Sequence, residues 1–258
     1  MMKKILLSSA LFAFSISPTF ADEKWISLFD GESLDGWTAK FSGSEVGKNY
    51  KNTFRASDGI LSVNYDEYEE FNGEYGHLFY KNKFSHYKIR LEYRFTGKQL
   101  KSGPDWGIRN NGIMFHTQSP ESMEIDHGWP VSLEFQLLGG LSDGKERHTG
   151  NVCSPGTHII LNGKLEKTHC IDSNSKTYHG DQWVKAELEV KGDEYMRQYI
   201  NGELVMEYKK PIADANDEEQ PAHPMEDGIP ITEGYIALQA ETHPTEFRNI
   251  LLLDLSKN

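Results

Sequence analysis

The stretch from Pro130 to Gly140 alternates without a break. Val131, Leu133, Phe135 and Leu137 fall on one side of a β-strand, and Ser132, Glu134 and Gln136 on the other, because strand side chains repeat every two residues. A solvated strand face ordinarily carries Lys or Thr. This one carries a carboxylate beside an amide, a pair able to grip sugar hydroxyls or to move a proton. The same logic puts His116 and Gln118 on one side of a strand, opposite Phe115 and Thr117, and puts Gln239 and Glu241 together near the C-terminus, with His243 two residues later. The expectation is a cleft floored by Glu134, Gln136, His116, Gln239 and Glu241, onto which a concave sheet would also turn Arg90, Glu92 or Arg94. The competing reading is a set of ion-paired strand faces.

Loop aromatics add to the pattern. Trp106 and Trp129 sit in Gly- and Pro-rich surroundings, where an indole could stack on a pyranose at a cleft rim or simply pack. Glu124-Ile125-Asp126 resembles the start of a Glu-x-Asp-x-Glu strand, in which closely spaced carboxylates support double displacement. Here His127-Gly128-Trp129-Pro130 follows instead of a third carboxylate, and the proline breaks the alternation. There is no Gly-x-Ser-x-Gly elbow, no phosphate loop and no His-x-x-x-His. No cofactor is predicted, and a divalent metal is left open.

The elements that must position these groups are strands. Tyr87–Phe95 and Trp183–Val190 alternate apolar and charged residues, and Asn162-Gly163 and Asn201-Gly202 are two-residue hairpin turns. Shorter strands are expected at 26–29, 60–63, 77–80 and 113–117, and closing strands at 234–240 and 246–255. Residues 97–110 and 210–231 read as loops. Helical periodicity is almost absent. The fold class is therefore all-β, an antiparallel two-sheet jelly-roll sandwich.

Residues 1–21 read as a secretory signal: Lys3 and Lys4, an apolar run from Ile5 to Ile16, then a small residue, Ala21, before Asp22. Residues 22–258 then form a single domain, exported to the periplasm or beyond the cell. Removing the two lysines leaves 25 basic against 39 acidic residues, a net charge of −14. That surface disfavours nucleic acid and anionic membranes, and no later segment is apolar enough to insert into a bilayer. Cys153 and Cys170, a lone pair in an exported chain, are expected to form a disulfide closing a seventeen-step loop, which would stabilise by roughly 3 kcal/mol.

Ordered motifs run through the chain: Leu28-Phe29-Asp30-Gly31-Glu32-Ser33-Leu34-Asp35-Gly36-Trp37, Asp58-Gly59-Ile60-Leu61, Tyr87–Phe95, Asn111-Gly112-Ile113-Met114-Phe115, Leu133–Leu138, Trp183, Tyr199-Ile200-Asn201-Gly202 and Phe247-Arg248-Asn249-Ile250. Together they resemble the 3-keto-disaccharide hydrolase family, once a domain of unknown function. The resemblance implies a concanavalin A-like lectin/glucanase fold and exported sugar processing. Many relatives carry Asp-His-Gly-Asp-Pro after the counterpart of Gln239; here the stretch is Ala240-Glu241-Thr242-His243-Pro244, with Glu241 where His is often found.

A 3-keto-glycoside substrate would change the chemistry. The ketone acidifies the C2 hydrogen, a base removes it, the C1 substituent leaves, and water adds. The expected roles are Glu134 or His116 as base, Arg109 or Gln136 as donor to the developing oxyanion, and Glu241 or His243 as acid. Gln118, Gln239, Trp106 and Trp129 would bind a small oligosaccharide or glycoside. A non-catalytic glycan-binding module and a retaining glucanase-like glycosidase stand as alternatives.

Overall fold

The computed structural model describes residues 24–220 and 222–256; the expected signal at 1–21 lies outside them. In chain order the strands are β1 (Ile26–Ser27), β2 (Trp37–Phe41), β3 (Phe54–Ser57), β4 (Ile60–Val63), β5 (Gly76–Tyr80), β6 (His86–Phe95), β7 (Asn110–Thr117), β8 (Leu133–Leu138), β9 (Asn151–Cys153), β10 (Thr157–Leu161), β11 (Lys164–Glu166), β12 (Cys170–Ile171), β13 (Val184–Lys191), β14 (Tyr195–Ile200), β15 (Glu203–Ala213), β16 (Tyr235–Ala240) and β17 (Thr245–Asp254). A ten-stranded sheet runs β11-β10-β15-β14-β13-β6-β17-β4-β3, with β1 paired to β17, and a seven-stranded sheet runs β12-β9-β8-β7-β16-β5-β2. The jelly-roll sandwich expected from the alternating strands is the fold the chain adopts.

The period of two explains the layering. Along β6, Tyr87, Ile89, Leu91, Tyr93 and Phe95 are buried while the residues between them are half-exposed. They meet Phe115, Leu133, Phe135 and Leu137 of the facing sheet in one hydrophobic core. Each such side chain contributes roughly 1.5–3 kcal/mol by leaving water. The hairpins close as their sequences demand: Asn162 and Gly163 take φ of 51° and 77°, Asn201 and Gly202 50° and 84°, the left-handed pair that suits the strand twist.

β15 runs on to Ala213, into the segment 210–231 that reads as a loop. Beyond Tyr208, β14 no longer pairs with it; β10 continues on one side and Ile212 bridges Pro230 on the other, where Pro211 offers only its carbonyl, to Ile231 N at 2.9 Å. β2 and β3 are strands that the sequence pattern did not signal.

Arg90, Glu92 and Arg94 fall on the outer face of the ten-stranded sheet, away from any cleft. There Glu92 accepts from Arg248 at 2.5 Å, and Arg94 donates to Glu246 at 2.7 Å. For Glu92 and Arg94 the reading of ion-paired strand faces holds, while Arg90 lies over the Trp25 ring at 4.0 Å.

Cys153 and Cys170 stand opposite each other on β9 and β12 and are bonded. The chain between them leaves the seven-stranded sheet, forms the β10–β11 hairpin on the edge of the other sheet, and returns. The bridge therefore closes an excursion between layers.

The outer face of the seven-stranded sheet is not a solvated surface. A polar row crosses it. Lys40 pairs with His77, and His77 with Gln239; Leu238 opposite Ile113 brings Gln239 opposite Gly112; Gly112 pairs with Gln136, and Gln136 with Asn151. Beside this row a second small core of Phe79, Met114, Met123 and Ala237 packs under the 118–131 segment, with Trp129 and Tyr235 against it. That segment is tied down at its middle and at its exit. The Gln118 Oε1 accepts from Val131 N at 2.7 Å, and the buried Lys40 Nζ donates to the carbonyl of Ile125 at 2.9 Å.

Candidate active site

A cleft of about 760 Å³ opens on this face. Its floor is β8, which presents Glu134 and Gln136, together with Glu241, the residue directly after β16. One wall is the Cys153–Cys170 bridge with Pro155 and His169, and the rim carries Trp106, Trp129, Asp126 and Glu219. Trp106 stacks on Tyr75 with ring centroids 5.8 Å apart, and Tyr75 contacts Trp129 at 4.2 Å.

Three residues form the centre. Glu241 Oε1 accepts from Trp129 Nε1 at 3.0 Å and from Gln239 Nε2 at 3.2 Å. Glu134 lies on the other side of Gln239. The Glu134 Oε1 and Gln239 Oε1 atoms both crowd the space above Gly112, where an added Cβ would lie 2.4 and 2.5 Å from them. Gly112 does not have a positive φ, so close approach, not backbone freedom, is what this position requires.

Burial decides the protonation of this trio. Removal from water raises Glu134 well above the usual carboxylate range, and the neighbouring Glu241 raises it further. Burial lifts Glu241 to about 7, restrained by its bond from Trp129. Two carboxyls this close do not both ionise readily, so one proton stays on the pair at neutral pH. The Gln239 amide beside Glu134 opposes its rise only in part. Glu134 Oε1, Gln239 Oε1, Glu241 Oε2 and Asn110 Oδ1 are buried without a hydrogen-bond partner.

Several residues expected at the site lie elsewhere. His116 has a φ of 52°, and the β7–β16 register slips there, so the alternation that would aim it outward fails. Its Nε2 instead meets the carbonyl of Gly192, in the turn between β13 and β14, at 2.9 Å, and burial lowers it to about 4. It is not a base for this cleft. Gln118 is occupied with Val131 and Ser122 and braces the covering segment. Arg109 turns away: its guanidinium bonds to the carbonyl of Gly180, reaches Asp181 at 3.4 Å and lies over the Phe95 ring. His243 is buried edge-on to Phe95 and does not line the cleft; burial, with Arg109 and Arg147 nearby, lowers it to about 4. Glu124 and Asp126 lie in a turn and not on a strand, so the double-displacement pattern has no scaffold.

The structure brings Glu134, Gln136, Gln239, Glu241, Trp106 and Trp129 together. It adds Tyr75, Asn110 and Arg147, which the sequence reading missed. Tyr75 directly precedes a strand and could have been weighed as a rim aromatic. Arg147 lies in a polar loop without periodicity and carried no signal. Among the described residues, no group of three His, Cys, Asp or Glu side chains is placed to hold a metal ion.

Among solved structures, two predicted glycosyl hydrolases from Parabacteroides distasonis share this fold. One is 17% identical with a TM-score of 0.52, covering 90% of this chain and 100% of its own. The other is 19% identical with a TM-score of 0.53, covering 90% and 94%. No curated protein matches the chain. The model of the 3-keto-alpha-glucoside-1,2-lyase-like domain matches residues 24–253.

Proposed function

Because this chain belongs to the 3-keto-alpha-glucoside-1,2-lyase-like family, a carbohydrate-acting family, we propose that its cleft eliminates the C1 substituent from a 3-keto-glycoside. The observation that carries this reading is the buried carboxyl pair joined through Gln239 on the cleft floor. The pair holds one proton near neutral pH, which supplies a base and an acid without a second activated group.

The assignment reverses the one read from sequence. Glu241 is the base: it is near half-ionised at neutral pH and is aimed by Trp129 and Gln239. It takes the C2 hydrogen, which the C3 ketone has acidified, and the electron pair of that C–H bond moves toward O3. The charge returns through C2 to form the C1–C2 double bond as the C1–O bond breaks. Glu134, which keeps its proton, protonates the departing oxygen. The products are a 2-hydroxy-3-keto-glycal and the free leaving group; adding water across the double bond gives a net hydrolysis. Gln136, whose Oε1 is held by Asn151 Nδ2 at 3.0 Å, keeps its amide nitrogen for a sugar hydroxyl. We assign residues 1–21 to a secretory signal and 22–258 to one exported domain; the disulfide supports an oxidising compartment.

The test incubates the enzyme with a 3-keto-disaccharide and its unoxidised parent in deuterated water. The expected result is release of the leaving group from the keto substrate alone, a keto product that has lost its C2 hydrogen (the glycal, or after hydration a 3-keto sugar carrying deuterium at C2), and loss of both with E241Q. Equal release from the parent sugar, or release with the original C2 hydrogen retained, refutes elimination. Binding without release from either sugar identifies a glycan-binding module instead.

A further inference from the structure

Elimination places negative charge on O3, next to the C2 oxygen, and neither carboxyl can neutralise it. We infer that Arg147 is the catalytic cation of this cleft and that its Nε/Nη2 edge receives the two vicinal oxygens of the enediolate. The inference rests on the elimination proposed above.

Arg147 lines the cleft, and its guanidinium is fixed by backbone alone. Nη1 donates to the carbonyls of Ile108 at 2.6 Å, Gly139 at 2.9 Å and Arg109 at 3.3 Å, and Nη2 to that of Trp106 at 3.3 Å. Four neutral acceptors orient the group without cancelling its charge, and no carboxylate forms an ion pair with it among the described residues. A half-buried cation held this firmly ordinarily has an ion-pair partner, and Asp143 acts on it only through space. Here that partner would arrive with the reaction.

The free donors match the need. Nε has no hydrogen-bond partner, yet it is absent from the sealed, unsatisfied atoms, whereas the Nε of Arg109 is among them. One Nη2 hydrogen is also uncommitted, since Trp106 takes only one. The Nε and Nη2 hydrogens of a guanidinium project in parallel and grip two adjacent oxygens side-on. Vicinal O2 and O3 of the sugar ring are such a pair. The fixed carbonyls remove the reorganisation cost that weakens flexible cations.

The experiment has two arms. In the first, R147M and R147K are assayed on a 3-keto-disaccharide. R147M should lose on the order of 10²–10³ in kcat with KM changed less than threefold, and methylguanidine should restore part of the loss. R147K keeps the charge without the fork and should fall between. In the second, which needs no turnover, tryptophan quenching reads the binding of 3-hydroxy-4-pyranone, as its anion, against its non-ionisable 3-methoxy ether at one mildly alkaline pH. Wild type should prefer the anion at least tenfold and R147M should not. R147M with wild-type kcat, or an anion preference that is absent in wild type or survives R147M, overturns the assignment. Should R147M fail to fold, R147K read in both arms decides. If wild type releases nothing from the keto substrate yet prefers the anion, the elimination fails while the anion fork stands.

Discussion

Replacing Gly112 with Ala tests the arrangement at its tightest point. The new Cβ would lie 2.4 Å from Glu134 Oε1, 2.5 Å from Gln239 Oε1 and 2.7 Å from Glu134 Cγ. Real Cβ atoms essentially never come closer than 3.0 Å, so the carboxyl must retreat by at least 0.6 Å. The backbone at Gly112 accepts Ala, so the whole effect comes from this crowding. Overpacking a buried site costs about 1–3 kcal/mol, partly offset by about 0.5–1 kcal/mol from replacing a strand glycine. The activity effect should be larger in proportion. A displacement approaching 1 Å can lower turnover by about a hundredfold, so G112A should lie between tenfold and a hundredfold below wild type. Moving the carboxyls apart also weakens the repulsion that Glu241 exerts on Glu134, so the alkaline limb of the rate profile should move to lower pH. Turnover of a 3-keto-disaccharide across pH, with urea denaturation alongside, reads both effects. Wild-type turnover and an unmoved alkaline limb in G112A would refute the proposed contact between Glu134 and Gln239.

Trp129→Phe removes the indole bond that favours the ionised form of Glu241, so the acid limb of kcat/KM, expected near pH 7 in wild type, should shift to higher pH. Because Glu241 is raised on folding, its contribution to stability is complete below about pH 4.5 and is lost as pH rises through about 7. E241Q should therefore gain on wild type by up to a few kcal/mol between those values in urea melts, and a parallel pH dependence in both proteins would contradict the burial argument. Replacing Cys153 and Cys170 together by Ala should cost about 2–5 kcal/mol of stability and also weaken substrate affinity, since the bridge forms a cleft wall. Unchanged KM in a folded double variant would reduce the bridge to a staple.

Period-two patterning made the sheets legible. β6 and β13 bury the residues their alternation assigns, and Glu134 reaches a cleft from the strand face that predicted it. The same pattern misplaced His116, because one left-handed residue in β7 reverses the side to which a side chain points, and nothing local distinguishes that residue type. It could not say which sheet's polar face would be concave, so Arg90, Glu92 and Arg94 were open to either surface. The cation of the site was misread for a different reason. Arg109 and Arg147 both lie in loops, and only long-range contacts with Gly180 and Ile108 determine which one reaches the cleft. The partnership of Glu134 with Glu241 joins residues over a hundred positions apart, through a glycine whose role lies in the side chain it lacks.

The anchored 118–131 segment bears on how substrate comes and goes. Side chains hold it at its middle and at its exit: the lysine amine and the Ser42 hydroxyl grip the middle turn, and the glutamine pins the exit into the following strand. Trp129 thus stands on a braced arch. A sugar would dock against a preformed platform without folding a flap over itself, and turnover would then be timed by bond breaking and diffusion instead of by a gate.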